Sequence, residues 1–112
     1  MQSLLLEKIK SKQACLGVIG LGYVGLPLAV DMAEAGFDTI GFDVKEAKLE
    51  LIKKGCSYNS DVTDDSLCVV VKSQKLLATS DFSLLANCYY CLLNSCFLFF
   101  HKNNFCHNIF LL

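Results

Sequence analysis

One glycine run, Gly20-Leu21-Gly22-Tyr23-Val24-Gly25, limits what this chain can fold into more than any other stretch. It follows the apolar segment Cys15 to Ile19 and opens a stretch whose apolar residues recur at helical spacing. G-x-G-x-x-G between a strand and a helix is the phosphate-binding turn of a βαβ unit. Gly20 permits the tight turn, and Gly22 lacks the Cβ that would hold a pyrophosphate off the backbone. Gly25 lets the helix pack closely on the strand. The helix N-terminus adds unpaired N–H groups and the positive end of its dipole.

The bare pattern recurs in many loops, but here it has a second half. Asp43 closes the next expected strand about 20 residues past the glycines, where a ribose-binding carboxylate belongs. The residues expected at a dinucleotide are Gly20, Leu21, Gly22, Tyr23, Val24, Gly25 and Asp43. A carboxylate at Asp43 accepts hydrogen bonds from the adenosine ribose hydroxyls and repels a 2′-phosphate, which favours NAD over NADP. Its other reading is an N-cap for the following helix, and the two roles are compatible.

The order of elements around this motif gives an α/β chain. Residues 2 to 12 set Leu4, Leu5, Leu6 and Ile9 among lysines, a short amphipathic lead-in helix. Cys15 to Ile19 is the first strand, apolar throughout as in a buried parallel sheet. Val24 to Ala35 is a helix with Leu28, Ala29, Met32 and Ala33 at helical spacing, Pro27 in its first turn and Gly36 as its stop. Thr39 to Phe42 is the second strand. Lys45 to Lys54 is the second helix, with Ala47, Leu51 and Ile52 inward and Gly55 after it. A polar loop from Cys56 to Asp61 follows. Thr63 or Asp64 caps a third helix that runs to about Lys72, with Leu67, Val70 and Val71 on its apolar side. Leu76 to Thr79 is the third strand, and Ser80 to Ser83 turns into a brief helix, Leu84 to Ala86.

At 112 residues the chain is one domain or less. A doubly wound domain usually needs more strands than this length supplies, so the expected fold is a Rossmann-like parallel sheet, incomplete at about three to four strands. A net charge of −1 gives no electrostatic case for nucleic acid or an anionic membrane. The first 14 residues carry Glu7, Lys8, Lys10 and Lys12 and lack the apolar core of a secretory signal. With a nucleotide motif, seven cysteines then imply a reducing cytoplasm and free thiols, not a disulfide framework.

Beyond Ala86 the composition changes. Asn87 to Leu112 contains no Gly, Pro, Ala, Val, Asp or Glu, and holds Cys88, Cys91, Cys96 and Cys106. The expected division is therefore 1–86, the nucleotide-binding part, and 87–112, an irregular apolar tail with one strand candidate at Cys88 to Leu93. Three readings of the tail stand. One is a zinc site from Cys88, Cys91, Cys96, His101, Cys106 and His107, against which the segment lacks the glycines and polar turns such loops use. Another is a membrane segment, Leu84 to Phe100, interrupted by Asn87, Asn94 and Ser95 and just short of the usual span of about 20 residues.

The third, which we favour, is a segment read out of frame or past a splice junction. Asn87-Cys88-Tyr89-Tyr90-Cys91 must be encoded AAY-TGY-TAY-TAY-TGY before a leucine codon. Read one base later this becomes Ile/Thr, Val/Ala, Ile/Thr, Ile/Thr, Val/Ala, the kind of buried strand due here in a doubly wound sheet. No metal site is assigned.

Gly17-Val18-Ile19-Gly20-Leu21-Gly22-Tyr23-Val24-Gly25-Leu26-Pro27-Leu28-Ala29 resembles the opening of the nucleotide-sugar dehydrogenases. The likeness continues through Gly41-Phe42-Asp43-Val44, Lys53 to Tyr58, Asp61-Val62 and Ala78 to Ser83, and stops near Ala86. It implies an NAD-dependent enzyme that oxidises the C6 alcohol of a UDP- or GDP-sugar to a carboxylate with two NAD. Ser57-Tyr58 and Asp61-Val62 are similar to the branch acting on UDP-N-acetylhexosamines. Lys48 matches a basic position that reaches the adenosine ribose or its phosphate, with a solvated helix lysine as the alternative.

In that family the catalytic cysteine stands far downstream in the substrate half, so no catalytic residue is assigned here and the chain is expected not to be catalytic alone. A UDP-sugar partner and a homo-oligomer belong to a full-length parent. The rival is a non-catalytic nucleotide-binding module whose apolar tail anchors it to a partner or membrane.

Overall fold

A computed structural model describes residues 14–88, 90–93, 98–101 and 110–111. The lead-in helix expected over residues 2 to 12 lies outside them. β1 (Cys15–Ile19) passes through the glycine turn into α1 (Gly25–Glu34), and β2 (Asp38–Phe42) follows. Next come α2 (Glu46–Lys53), α3 (Asp64–Lys72) and β3 (Leu76–Thr79). A 3-10 helix, Phe82–Asn87, takes the place of the briefer helix expected at Leu84. Within the segment 87–112 lie β4 (Tyr90–Leu93), β5 (Leu98–His101) and β6 (Phe110–Leu111).

The sheet order is β3-β2-β1-β4-β5-β6. The first four strands are parallel, and β5 and β6 continue the sheet antiparallel. Chain order runs outward from β1 to β3 and then returns to the opposite side of β1, so the strand order reverses between β1 and β4. Ligands of open α/β sheets bind outside the carboxyl ends of the strands at such a point. Register places Ile19 level with Phe42 and with Leu93, and Phe42 level with Thr79. These ends form one rim, and the glycine turn rises from its centre.

Alternation along the strands divides the core. Val18, Leu76 and Ala78 face Leu26, Ala29, Val30, Ala33, Leu49, Ile52, Leu67 and Val70 of the three helices. Ile40, Phe42, Cys88 and Cys91 face the other side, where Leu84 and Leu85 of the 3-10 helix cover them. Phe82 adds a tilted ring contact to Phe42 at 5.5 Å between centroids. Gly17 keeps this layer thin, since a Cβ there would stand 2.8 Å from the Cys91 Sγ and 3.0 Å from the Cys88 Sγ.

Helix ends follow local chemistry. Gly36, at φ 104°, ends α1: its N–H reaches the Ala33 carbonyl, and Phe37 reaches Met32. Gly55, at φ 75°, does the same after α2. Thr63 caps α3 by accepting the Ser66 N–H at 3.1 Å. Two expectations for α2 need correction. Leu49 and Ile52 are its inward residues, whereas Ala47 is exposed and Leu51 is 38% exposed. Leu49 and Ile52 are one helical turn apart on one face, and Leu51 is rotated off it.

Of the residues weighed for zinc, Cys96, Cys106 and His107 lie outside the described residues, His101 ends β5, and Cys88 and Cys91 are buried beneath Gly17. Among the described residues no helix is long and apolar enough to cross a membrane. Leu84 to Phe100, weighed as such a span, contains the end of the 3-10 helix, β4 and part of β5.

Candidate functional site

The glycine turn is fastened first to β2. The Gly20 N–H donates to the Phe42 carbonyl at 2.7 Å, and Gly20 takes φ 91°, a conformation glycine adopts freely. Leu21 then folds fully inward and lies against Gly41, where a Cβ would come within 2.7 Å of its Cδ2. A side chain at Gly41 would therefore displace Leu21 from its place against β2. Gly22 is half-buried, Tyr23 is 75% exposed and Val24 is 46% exposed. Gly25 is buried at the start of α1.

Asp43 stands directly after β2 on the same rim, 8% exposed, with its N–H donating to the Thr79 carbonyl of β3. Its Oδ2 accepts the Leu21 N–H at 2.9 Å and its Oδ1 accepts the Lys45 N–H at 2.9 Å. The Lys48 ammonium lies 3.9 Å from Oδ2 and 5.9 Å from the centroid of the Tyr58 ring. Burial acts to raise the Asp43 pKa. The N–H groups of Lys45 and Leu21, the Lys48 charge and the Val44 N–H together outweigh it and hold the carboxyl below its usual value.

The carboxylate is thus ionised at neutral pH. Each oxygen holds one backbone N–H and keeps a further lone pair for a hydroxyl donor. Asp43 is not the N-cap of α2. That residue is Lys45, and Asp43 binds the N–H of Lys45 itself.

The structure brings all the expected site residues together: Gly20 to Gly25, Asp43 and Lys48 share one rim at the carboxyl ends of β1 and β2. It adds two residues whose part in the site was missed. The Tyr58 hydroxyl donates to the Leu21 carbonyl, and the Asn59 Nδ2 donates to the Tyr23 carbonyl at 3.0 Å. Both come from the loop between α2 and α3, where Ser57-Tyr58 carries a branch likeness in the sequence but no role in the site. Side chain-to-backbone bonds across so much chain leave no periodic pattern. A tyrosine beside an asparagine in a loop otherwise made of small polar residues and a cysteine was the available signal.

The residues fit a dinucleotide. Val24, the N-cap of α1, offers no side-chain cap, and α1 has no acidic residue in its first turn. Its first N–H groups are therefore not answered by a capping side chain, and no carboxylate of its own repels a pyrophosphate there. Beside it stands an ionised carboxylate with acceptor capacity for ribose hydroxyls.

Residues 14–92 match the family described as the UDP-glucose/GDP-mannose dehydrogenase family, NAD binding domain. The match passes Ala86 and runs into β4. The UDP-N-acetyl-D-mannosamine dehydrogenase of Methanococcus vannielii is 49% identical over 49 residues, which is 44% of this chain and 11% of that one. The UDP-N-acetyl-D-glucosamine 6-dehydrogenase of Salmonella typhi is 34% identical over 73 residues, 65% of this chain and 16% of that one. A crystal structure of an NDP-N-acetyl-D-galactosaminuronic acid dehydrogenase from Methanosarcina mazei superimposes with a TM-score of 0.66 at 30% identity, covering 79% of this chain and 21% of that one. The chain therefore spans between about a tenth and a fifth of the length of these relatives.

Proposed function

Because this chain belongs to the UDP-glucose/GDP-mannose dehydrogenase family through its NAD-binding domain, we propose that Gly20 to Gly25, Asp43 and Lys48 seat the NAD of a nucleotide-sugar 6-dehydrogenase. One observation carries the assignment: Asp43 Oδ2 accepts the Leu21 N–H, so the ribose carboxylate and the phosphate turn are built as one unit. The turn and the N-terminus of α1 supply N–H groups to the pyrophosphate. Asp43 accepts the adenosine ribose hydroxyls, and Lys48 lies beside that ribose. NAD, when bound, supplies the hydride acceptor.

The reaction proposed for the whole protein is oxidation of a C6 alcohol to a carboxylate, with two NAD reduced and one water consumed. The names of the relatives, together with Ser57-Tyr58 and Asp61-Val62, support a UDP-N-acetylhexosamine as its substrate. Its proposed setting is the cytoplasm. None of the 112 residues is assigned a catalytic role. The division proposed is 1–86 as the NAD-binding part and 87–112 as a segment read out of frame or past a splice junction, although the family match runs on to residue 92.

The test is a calorimetric titration of the chain with NAD and NADP, beside an assay for NADH with UDP-N-acetylglucosamine and UDP-N-acetylmannosamine. The expected results are NAD binding, weaker NADP binding and no sugar-dependent NADH. Gly22→Val sets a branched side chain where the pyrophosphate approaches the backbone and is expected to remove NAD binding. Retained binding in that variant would place the cofactor elsewhere. Clear turnover by this chain would overturn the assignment of no catalytic role.

A further inference from the structure

We propose that Tyr58 and Asn59 are positioning residues for the phosphate turn, holding its carbonyl groups back so that its N–H groups face the pyrophosphate. The inference rests on the NAD-binding reading above. A trans peptide points its C=O and its N–H in opposite directions within one plane. Anchoring the Leu21 carbonyl to the Tyr58 hydroxyl therefore turns the Gly22 N–H away from the loop between α2 and α3. Anchoring the Tyr23 carbonyl to Asn59 Nδ2 turns the Val24 N–H away in the same manner. A carbonyl that rotated outward would offer a phosphate an acceptor in place of a donor.

Both anchors are themselves fixed. Asn59 Oδ1 accepts the Asp61 N–H at 2.8 Å, which settles the amide orientation and leaves Nδ2 to donate. Ser57 Oγ accepts the Asn59 N–H at 3.1 Å and donates to the Asn59 carbonyl at 2.9 Å. The Ser57 N–H in turn reaches Asp64 Oδ1 at 2.7 Å in the first turn of α3. Tyr58 has the Lys48 ammonium over its ring. Burial and the nearby Asp43 charge push the Tyr58 pKa up to about 12, so the hydroxyl keeps the proton it donates. The turn is thus held to β2 by Gly20, to Asp43 by Leu21, and to this loop by Leu21 and Tyr23.

Tyr58→Phe removes one hydroxyl and keeps the ring beneath Lys48. We expect it to weaken NAD by about three- to tenfold, the effect of losing one net hydrogen bond. Adenosine, which reaches Asp43 without phosphates, is expected to bind as tightly as to the wild type. In the ligand-free protein, hydrogen exchange is expected to accelerate at the Leu21 amide, which Asp43 Oδ2 holds. Asn59→Asp keeps the acceptor for Asp61 and loses the donor, so it is expected to accelerate exchange at Leu26, whose N–H the Gly22 carbonyl holds. That measurement involves no phosphate for the new charge to repel.

A purely structural role would lower the melting temperature and weaken NAD and adenosine alike. An unchanged NAD-to-adenosine ratio in Tyr58→Phe, or unchanged exchange at both amides, would overturn the proposal. Failure of the wild type to bind NAD would instead overturn the functional reading, and amide exchange would still judge the anchors.

Discussion

Asp43 shows how one side chain serves structure and recognition together. Its two oxygens join the glycine turn to the start of the next helix. Asp43→Asn is close in shape, but its amide must present an NH2 to one of those two N–H groups. A buried backbone donor left without an acceptor costs about 1–3 kcal/mol. The variant is therefore expected to lose stability as well as to weaken NAD about tenfold and to improve the relative binding of NADP. Denaturant unfolding and calorimetry check the two effects separately. Unchanged affinities for both cofactors would reduce Asp43 to a structural tie.

The pH dependence has a definite sign. Asp43 has a lower pKa in the folded protein than in the unfolded chain, so its contribution is fully present above the unfolded value and fades as pH falls through the folded one. The stability gap between wild type and Asp43→Asn is expected to be widest near neutral pH and to narrow in acid below about pH 4. A gap that stayed constant down to pH 2 would show that the carboxylate charge contributes nothing.

At the scale of elements, what could be read from the sequence depended on whether the governing interaction was local. β1 and β3 are where their apolar runs put them, and Gly36, Gly55 and Thr63 mark helix ends by local chemistry. The inward face of α2 was harder, because Ala47, Leu49, Leu51 and Ile52 lie close together in eight residues and only packing selects among them. Asp43 and the glycines were legible because a fixed spacing joins them. Tyr58 and Asn59 were not, since their partners are carbonyls in a distant turn that any residue could supply.

The end of α3 had no glycine to announce it. There Gln74 takes φ 63° while its N–H reaches Val71 and that of Lys75 reaches Val70. A left-handed residue with a side chain is strained by about 1–2 kcal/mol. Glycine gives back about 0.5–1 kcal/mol through its freer unfolded state. The strain term is the larger, so Gln74→Gly is expected to stabilise the fold by about 0.5–1 kcal/mol, read as a higher denaturant midpoint. A lower midpoint would mean that Gln74 makes a compensating contact.

On the scale of the whole molecule, the sheet passes through the boundary at which the composition changes. β4 pairs with β1 in parallel and occupies the strand position due after a reversal of strand order. An interior parallel strand favours Val and Ile, and in this frame the segment reads Tyr90-Cys91-Leu92-Leu93. Reading the gene one base later after Ala86 is expected to give a Val- or Ile-rich strand and a long open frame. Sequencing the gene and its transcript checks this, and a stop within a few codons in each shifted frame ends the idea.

The reversal of strand order also bears on how the chain folds. β1 and β2 meet through a single short helix, and that half can form early from contacts close in sequence. β1 meets β4 only through Leu16–Tyr90 and the pairs beyond it, across most of the chain. Until Tyr90 to Leu93 emerge from the ribosome, one side of β1 presents its backbone N–H and C=O groups as an open template. The strand that leads into the glycine turn is therefore open to wrong pairing during synthesis, although it ends as an interior strand. A nascent chain halted before Tyr90 would carry the whole turn and still be prone to aggregate.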